Sequence, residues 1–205
     1  IDETGIISAL GEGVARQYTG EADHVIDGDK TLAIPGLVNA HTHAAMSLLR
    51  GYADDMHLQQ WLSEKIWPLE AHLTADDVYW GTRLACLEMI RSGTTAFNDM
   101  YFFMEETARA VDESGMKAVL CHGFITFGSP EKFEAEVRAT TNLVSAIQKM
   151  NNPRILPAVG PHAPDVPGAI VCDGVILHVA CAATPVGVLK PAAFPIKANL
   201  AVCHA

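Results

Sequence analysis

Basic residues are scarce in this chain. It has 14 Lys and Arg against 24 Asp and Glu, a formal net charge of -10 at neutral pH. No basic patch is available to neutralise phosphates, which argues against nucleic acid or an anionic membrane as a partner. Long apolar runs are missing too. Nothing approaches the ~18 consecutive apolar residues of a membrane span. The first residues also lack a basic segment followed by an apolar one, so neither a transmembrane helix nor a signal peptide is expected. The five cysteines show no C-x-x-C spacing and are odd in number. That disfavours a disulfide framework and fits reduced thiols in a cytoplasmic protein. What remains is a chain of 205 residues, 49% hydrophobic and 19% charged, without repeats or low-complexity tracts. This is a soluble globular profile with enough length for a substantial core, and a small molecule is compatible as partner.

The stretch that organises the chain is Leu32-Ala33-Ile34-Pro35-Gly36-Leu37-Val38-Asn39-Ala40-His41-Thr42-His43. An apolar run with β-branched residues, bounded by Gly and Pro, reads as a buried strand. Alternate side chains of an extended chain share a face, so His41 and His43 point the same way. Two imidazoles on one side of a strand end can grip one divalent metal ion. The competing reading is a pair of surface histidines in a loop; the apolar strand leading into the pair favours metal.

Around this stretch the order of elements is regular. Residues 1–31 carry strand-like pieces at Gly5–Leu10 and His24–Asp27, punctuated by glycines. Met56 to Trp67 has a short helical face that Pro68 is expected to end. Thr74 reads as the N-cap of a helix with Asp77 in its first turn, and Gly93 as the residue that closes it. A second strand is expected at Thr94–Met100, a helix at Glu105–Ser114 closing on Gly115, and a third strand at Lys117–Gly123. Ser129 and Pro130 open another helix as N-cap and first residue, running to about Met150, and Arg154–His162 is a fourth strand. Four strand–helix alternations predict a parallel α/β arrangement. Past Pro164 the composition shifts: residues 165–205 contain no Glu, Arg or Gln. Val175–Ala180 and Leu200–His204 read as further strands. The links between them are too short or too rich in proline for crossover helices.

The segment Pro35–His43 resembles the first barrel strand of the amidohydrolase superfamily. Met46-Ser47-Leu48-Leu49-Arg50-Gly51-Tyr52-Ala53-Asp54-Asp55, Trp61-Leu62 and Trp67-Pro68-Leu69-Glu70 resemble its 5-methylthioadenosine/S-adenosylhomocysteine deaminase branch, which includes 5′-deoxyadenosine deaminases. The resemblance covers about residues 2–164 and is poor afterwards. It implies a partial TIM-type (β/α)8 metal-dependent hydrolase barrel over 32–205, with an atypical tail at 165–205. Residues 1–31 would be a fragment of the flanking β-sandwich. A complete barrel of this kind takes about 250 residues.

The implied reaction is hydrolytic deamination of an adenine nucleoside, with one divalent metal ion, Zn2+ or alternatively Fe2+, lowering the pKa of water. The implied metal ligands are His41, His43 and His178. Glu70 corresponds to the glutamate that accepts both ribose hydroxyls, a role that its paired oxygens suit. His162 corresponds to the histidine that hydrogen-bonds the purine, and Trp61 is a candidate pocket wall. His204 is a candidate catalytic histidine, although Cys203 and His204 stand in reverse of the family order. Cys181 occupies the place of the proton-shuttle glutamate, and no counterpart of the eighth-strand aspartate is present. Asp99 is expected to serve by hydrogen bonding rather than as a ligand, and His122 ends the third strand. Homo-oligomerisation is expected. Two alternatives stand beside this reading: an amidohydrolase acting on another heterocycle of guanine or triazine type, and a truncated or misread chain with little activity.

Overall fold

A computed structural model describes residues 1–3, 5–125, 129–161, 176–177 and 200–204 of the chain. Its elements in order begin with a short helix, α1 (Val14–Tyr18), and two strands, β1 (Thr31–Pro35) and β2 (Leu37–Thr42). A 3-10 turn (Ala44–Leu49) leads to α2 (Leu58–Trp61), a π-helical turn (Leu62–Ile66) and α3 (Trp67–Glu70). Then come α4 (Ala75–Arg91), β3 (Thr94–Tyr101), α5 (Met104–Ser114), β4 (Lys117–Phe124), α6 (Pro130–Met150) and β5 (Ile155–Pro161). Two further strands are β6 (Ile176–Leu177) and β7 (Leu200–His204). The order β2-β3-β4-β5-β6 forms one five-stranded parallel sheet. β3, β4 and β5 are linked through α5 and α6, and α4 precedes β3, as the strand–helix alternation predicts.

Local chemistry accounts for the helix ends. Thr74 caps α4 by accepting from the Asp77 backbone N–H, while the Asp77 carboxylate accepts from the Thr74 N–H, a reciprocal capping box. Ser129 caps α6 through the Lys132 N–H, with Pro130 in the first turn. Gly115 ends α5 with φ 79°, a left-handed conformation that costs glycine little. The core lies between the helices and one face of the sheet, joining Val78, Ala85, Phe97, Met104, Val111, Leu120, Leu143, Ile147 and Ile155. On the opposite face Met100, Cys121 and Ala158 stand side by side in register.

Four features differ from the sequence expectation. The strand read over Leu32–His43 is two strands in two sheets, parting at Gly36. A Cβ on Gly36 would sit 2.2 Å from Thr95 Oγ1, so only glycine lets the chain pass β3 this closely. β1 pairs antiparallel with β7, Thr31 opposite His204. Leu200–His204 is therefore a strand, but one outside the five-stranded sheet. No strand forms at Gly5–Leu10 or His24–Asp27; Leu10 is 93% exposed, and Ile6, Ile7, Val25 and Ile26 are exposed as well. With no partner among the described residues their strand tendency goes unused. Finally, Pro68 does not end its helix. The π-turn just before it widens the coil, which relieves the usual clash with the carbonyl one turn back, and Pro68 sits in the first turn of α3.

Candidate active site and metal centre

His41 and Thr42 close β2, and His43 follows it directly. Thr42 stands opposite Asp99 of β3, on the helix-facing side with Phe97 and Leu120. Alternation therefore turns His41 and His43 to the other side of the sheet. Their ring centroids are 5.2 Å apart at 81°. His43 Nδ1 lies 2.6 Å from the Met100 carbonyl oxygen. A carbonyl cannot donate, so Nδ1 carries the proton and Nε2 keeps its lone pair for a cation.

Behind the pair, Asp99 is fully buried. Its Oδ1 accepts from the Thr42 hydroxyl and the Ala44 backbone N–H, both at 2.8 Å. Burial pushes its carboxyl up to about 6, opposed by the Ala44 and Thr42 hydrogen bonds. Asp99 Oδ1 thus has hydrogen-bond partners of the kind expected from the sequence.

Glu70, at the end of α3, accepts a 2.8 Å hydrogen bond from the Tyr101 hydroxyl at the end of β3. The Tyr101 ring is 6.2 Å from that of His43, so Tyr101 links the carboxylate to the histidine pair. Partial burial raises the Glu70 carboxyl above its ordinary range, opposed by the Tyr101 hydrogen bond and the His43 charge. The Tyr101 phenol is raised in turn, first by burial and then by Glu70. The sequence reading missed Tyr101. The available signal was its place two residues after Asp99, on the same face of a strand running into the site.

Two clefts flank these groups. One of about 620 Å³ is lined by His41, His43, Tyr52, Asp54 and Trp61. Trp61 is anchored there by its indole N–H, which donates to the Tyr52 carbonyl at 3.3 Å. The other, about 670 Å³, is lined by Trp67, Glu70, Phe103, His122 and Leu143. His122 Nε2 meets Glu136 Oε2 at 2.5 Å, which ties α6 to the end of β4. The structure brings His41, His43 and Trp61 to one cleft, with Glu70 one side chain away. His162, His178 and Cys181 lie outside the described residues. His204 is described only through its backbone in β7.

The donor set fits a divalent ion as far as it is described: two imidazoles on one face, one with its tautomer fixed, backed by a buried carboxylate. No group of three His, Cys, Asp or Glu suited to a metal forms among the described residues. No helix among them is long and apolar enough to cross a membrane.

Residues 32–166 match the Amidohydrolase family. The chain belongs to that family. A 5′-deoxyadenosine deaminase of Methanospirillum hungatei is 66% identical over 163 residues, 80% of this chain and 36% of that protein. A 5-methylthioadenosine/S-adenosylhomocysteine deaminase of Syntrophomonas wolfei is 55% identical over 162 residues, 79% of this chain and 37% of that one. The amidohydrolase chain thus spans little more than a third of the length of these relatives. Among solved structures, an adenosine deaminase from Xanthomonas campestris with bound zinc is 39% identical with a TM-score of 0.58, covering 66% of this chain and 31% of the other. A guanine deaminase from C. acetobutylicum, at 21% identity and TM-score 0.59 over 76% of this chain and 38% of its own, shares the fold. The parallel sheet and its helices are therefore part of an amidohydrolase barrel.

Proposed function

We propose that this amidohydrolase chain carries the metal-gripping strand and the ribose-binding elements of a hydrolytic adenine-nucleoside deaminase. Its substrate would be 5′-deoxyadenosine, 5-methylthioadenosine or S-adenosylhomocysteine, and its products the hypoxanthine nucleoside and ammonia. The observation that carries the reading is the row His41, His43, Tyr101, Glu70 at one end of the sheet, where parallel barrels build their sites. Relatives that are 55% and 66% identical bear deaminase names.

In this reading His41, His43 and His178 would hold the ion, Zn2+ or Fe2+, whose Lewis acidity would lower the pKa of water for attack on the amino-bearing carbon. The Met100 carbonyl orients His43. Tyr101 donates to one oxygen of Glu70 and so aims the carboxylate, whose remaining lone pairs take the vicinal ribose hydroxyls. His162 hydrogen-bonds the purine, Trp61 walls the cleft, and His204 is a lesser candidate for proton transfer. Residues 1–31 would belong to a flanking sandwich, and the protein would act in the cytoplasm as a homo-oligomer.

A second reading rests on Cys181. A thiol is a weak donor of shorter reach than the glutamate it replaces, so the 205-residue chain is expected to bind nucleoside better than it turns it over.

Glu70 also separates nucleosides from bare guanine- or triazine-type rings, because it has no role without a diol. Glu70→Gln should weaken 5′-deoxyadenosine binding by calorimetry roughly 10- to 100-fold, the worth of hydrogen bonds to a charged group, and leave adenine binding nearly unchanged. Equal losses for both ligands would refute the ribose assignment.

A further inference from the structure

The end of β2 is held to β3 in an unusual way. Their register shifts between Asn39 and Thr42, so the regular pairing lapses at Ala40 and at His41, the first proposed ligand. Side chains of β3 take over: Asn98 Nδ2 donates to the Ala40 carbonyl at 3.1 Å, and Asp99 Oδ1 accepts from Thr42 Oγ1 and Ala44 N. The single Thr42 hydroxyl proton is shared with the Asn98 carbonyl, 2.9 Å away. Thr42 and Ala44 are the two neighbours of His43, and one carboxylate oxygen grips both.

We infer that Asp99 is a positioning residue for metal binding: its carboxylate clamps the backbone on both sides of His43 and fixes that imidazole against the Met100 carbonyl, without itself touching metal or substrate. The inference rests on the reading of His41 and His43 as ligands. Any buried carboxylate needs donors; what ties Asp99 to His43 is that the donors on its Oδ1 are the two residues flanking that histidine.

The test uses the whole 205-residue chain and zinc alone, titrated against a chromophoric chelator, together with nitrogen-15 spectra of the histidine rings without metal. Asp99→Ala should weaken zinc binding about 10- to 100-fold, as expected for loss of a group that orients a ligand, and should erase the protonated-Nδ1 signature of His43. Asp99→Asn keeps an acceptor oxygen and should recover most of both. Thr42→Val, which removes one of the two donors, should fall between wild type and Asp99→Ala and carries the test if Asp99→Ala does not fold. His43→Ala serves as control. If His43→Ala loses zinc while Asp99→Ala binds like wild type, the positioning role is overturned. If His43→Ala binds like wild type, the ligand reading itself fails. The His43 ring signals then still decide the clamp, since an unchanged tautomer and shift in Asp99→Ala would overturn it.

Discussion

Gly81→Ala offers a sharp test, because two effects of opposite sign compete there. In an exposed helix the change stabilises by about 1 kcal/mol through helix propensity. Gly81 is buried in α4 against the 3-10 turn that follows His43. A Cβ added there would lie 2.5 Å from the Ala45 carbonyl oxygen and 2.9 Å from the Ala45 Cα. Both are backbone atoms, so no side chain can swing aside. Helix and turn must part by close to an ångström, and a gap of that size forfeits roughly a quarter to a half of each contact's dispersion well. The contacts at risk include the buried Ala44, Ala45, Val78 and Ala85. Overpacking of this kind costs about 1–3 kcal/mol and sometimes more. A clash with backbone on both sides belongs in the upper part of that range, about 2–3 kcal/mol, so against the propensity gain the net is a destabilisation of about 1–2 kcal/mol, or several degrees in Tm at about 2–4 °C per kcal/mol. Urea unfolding followed by circular dichroism should show a lower midpoint at unchanged slope. A variant as stable as wild type, or more so, would show that α4 does not approach residues 44–45 this closely.

Four further outcomes follow from the surroundings of single residues. Thr74→Ala should cost about 1 kcal/mol in thermal unfolding by opening the α4 capping box. Asp77, whose carboxyl that box holds below its ordinary range, adds stability above its unfolded pKa that is lost as pH falls through the lowered folded value. Cys86 and Cys121 are buried thiols raised by desolvation, Cys121 up to about 12. Peptide mapping after iodoacetamide treatment at mildly alkaline pH should find both unmodified until the protein is unfolded. Gly36→Ala should destabilise the chain severely through Thr95, whose Oγ1, Cγ2 and Cβ would lie 2.2, 2.4 and 2.8 Å from the new methyl. Thr95→Ala removes the first two clashes and should restore part of the loss in a double-mutant cycle.

The legible features were those written in adjacent residues. Thr74 with Asp77, Ser129 with Pro130, and Gly115 mark helix ends because capping is decided within one turn. Strands at Thr94, Lys117 and Ile155 show as apolar runs between glycines and helix caps. What escaped depends on partners far along the chain. Gly36 breaks a strand because of Thr95, which no local pattern reveals. The pieces at Gly5–Leu10 and His24–Asp27 have strand composition and, among the described residues, no neighbour to pair with. The buried face of α4 also depends on a distant partner: Trp80 is 62% and Leu87 55% exposed, while Gly81 and Ala85 are buried, since close approach to residues 44–45 selects small side chains. At the candidate site the motif pointed to His41, His43 and Glu70, whose roles remain a proposal. It did not point to Tyr101, because its role exists only once β3 and α3 end side by side.

The π-turn at Leu62–Ile66 has a consequence in angle rather than in hydrogen bonds. Each residue of an α-helix advances the side-chain direction by about 100°, and a π-turn takes up one extra residue without ending the coil. It therefore acts as a spacer that lets a coil of one more residue arrive at the same azimuth, and Glu70 keeps that setting four residues later. Deleting a single residue between Leu62 and Ile66 would let the turn close to α-helical width with Glu70 still facing Tyr101. A residue added where the coil stays α-helical would instead turn Glu70 by about 100°, away from Tyr101. The bearing of that carboxylate is protected by a widened turn upstream of the residue itself.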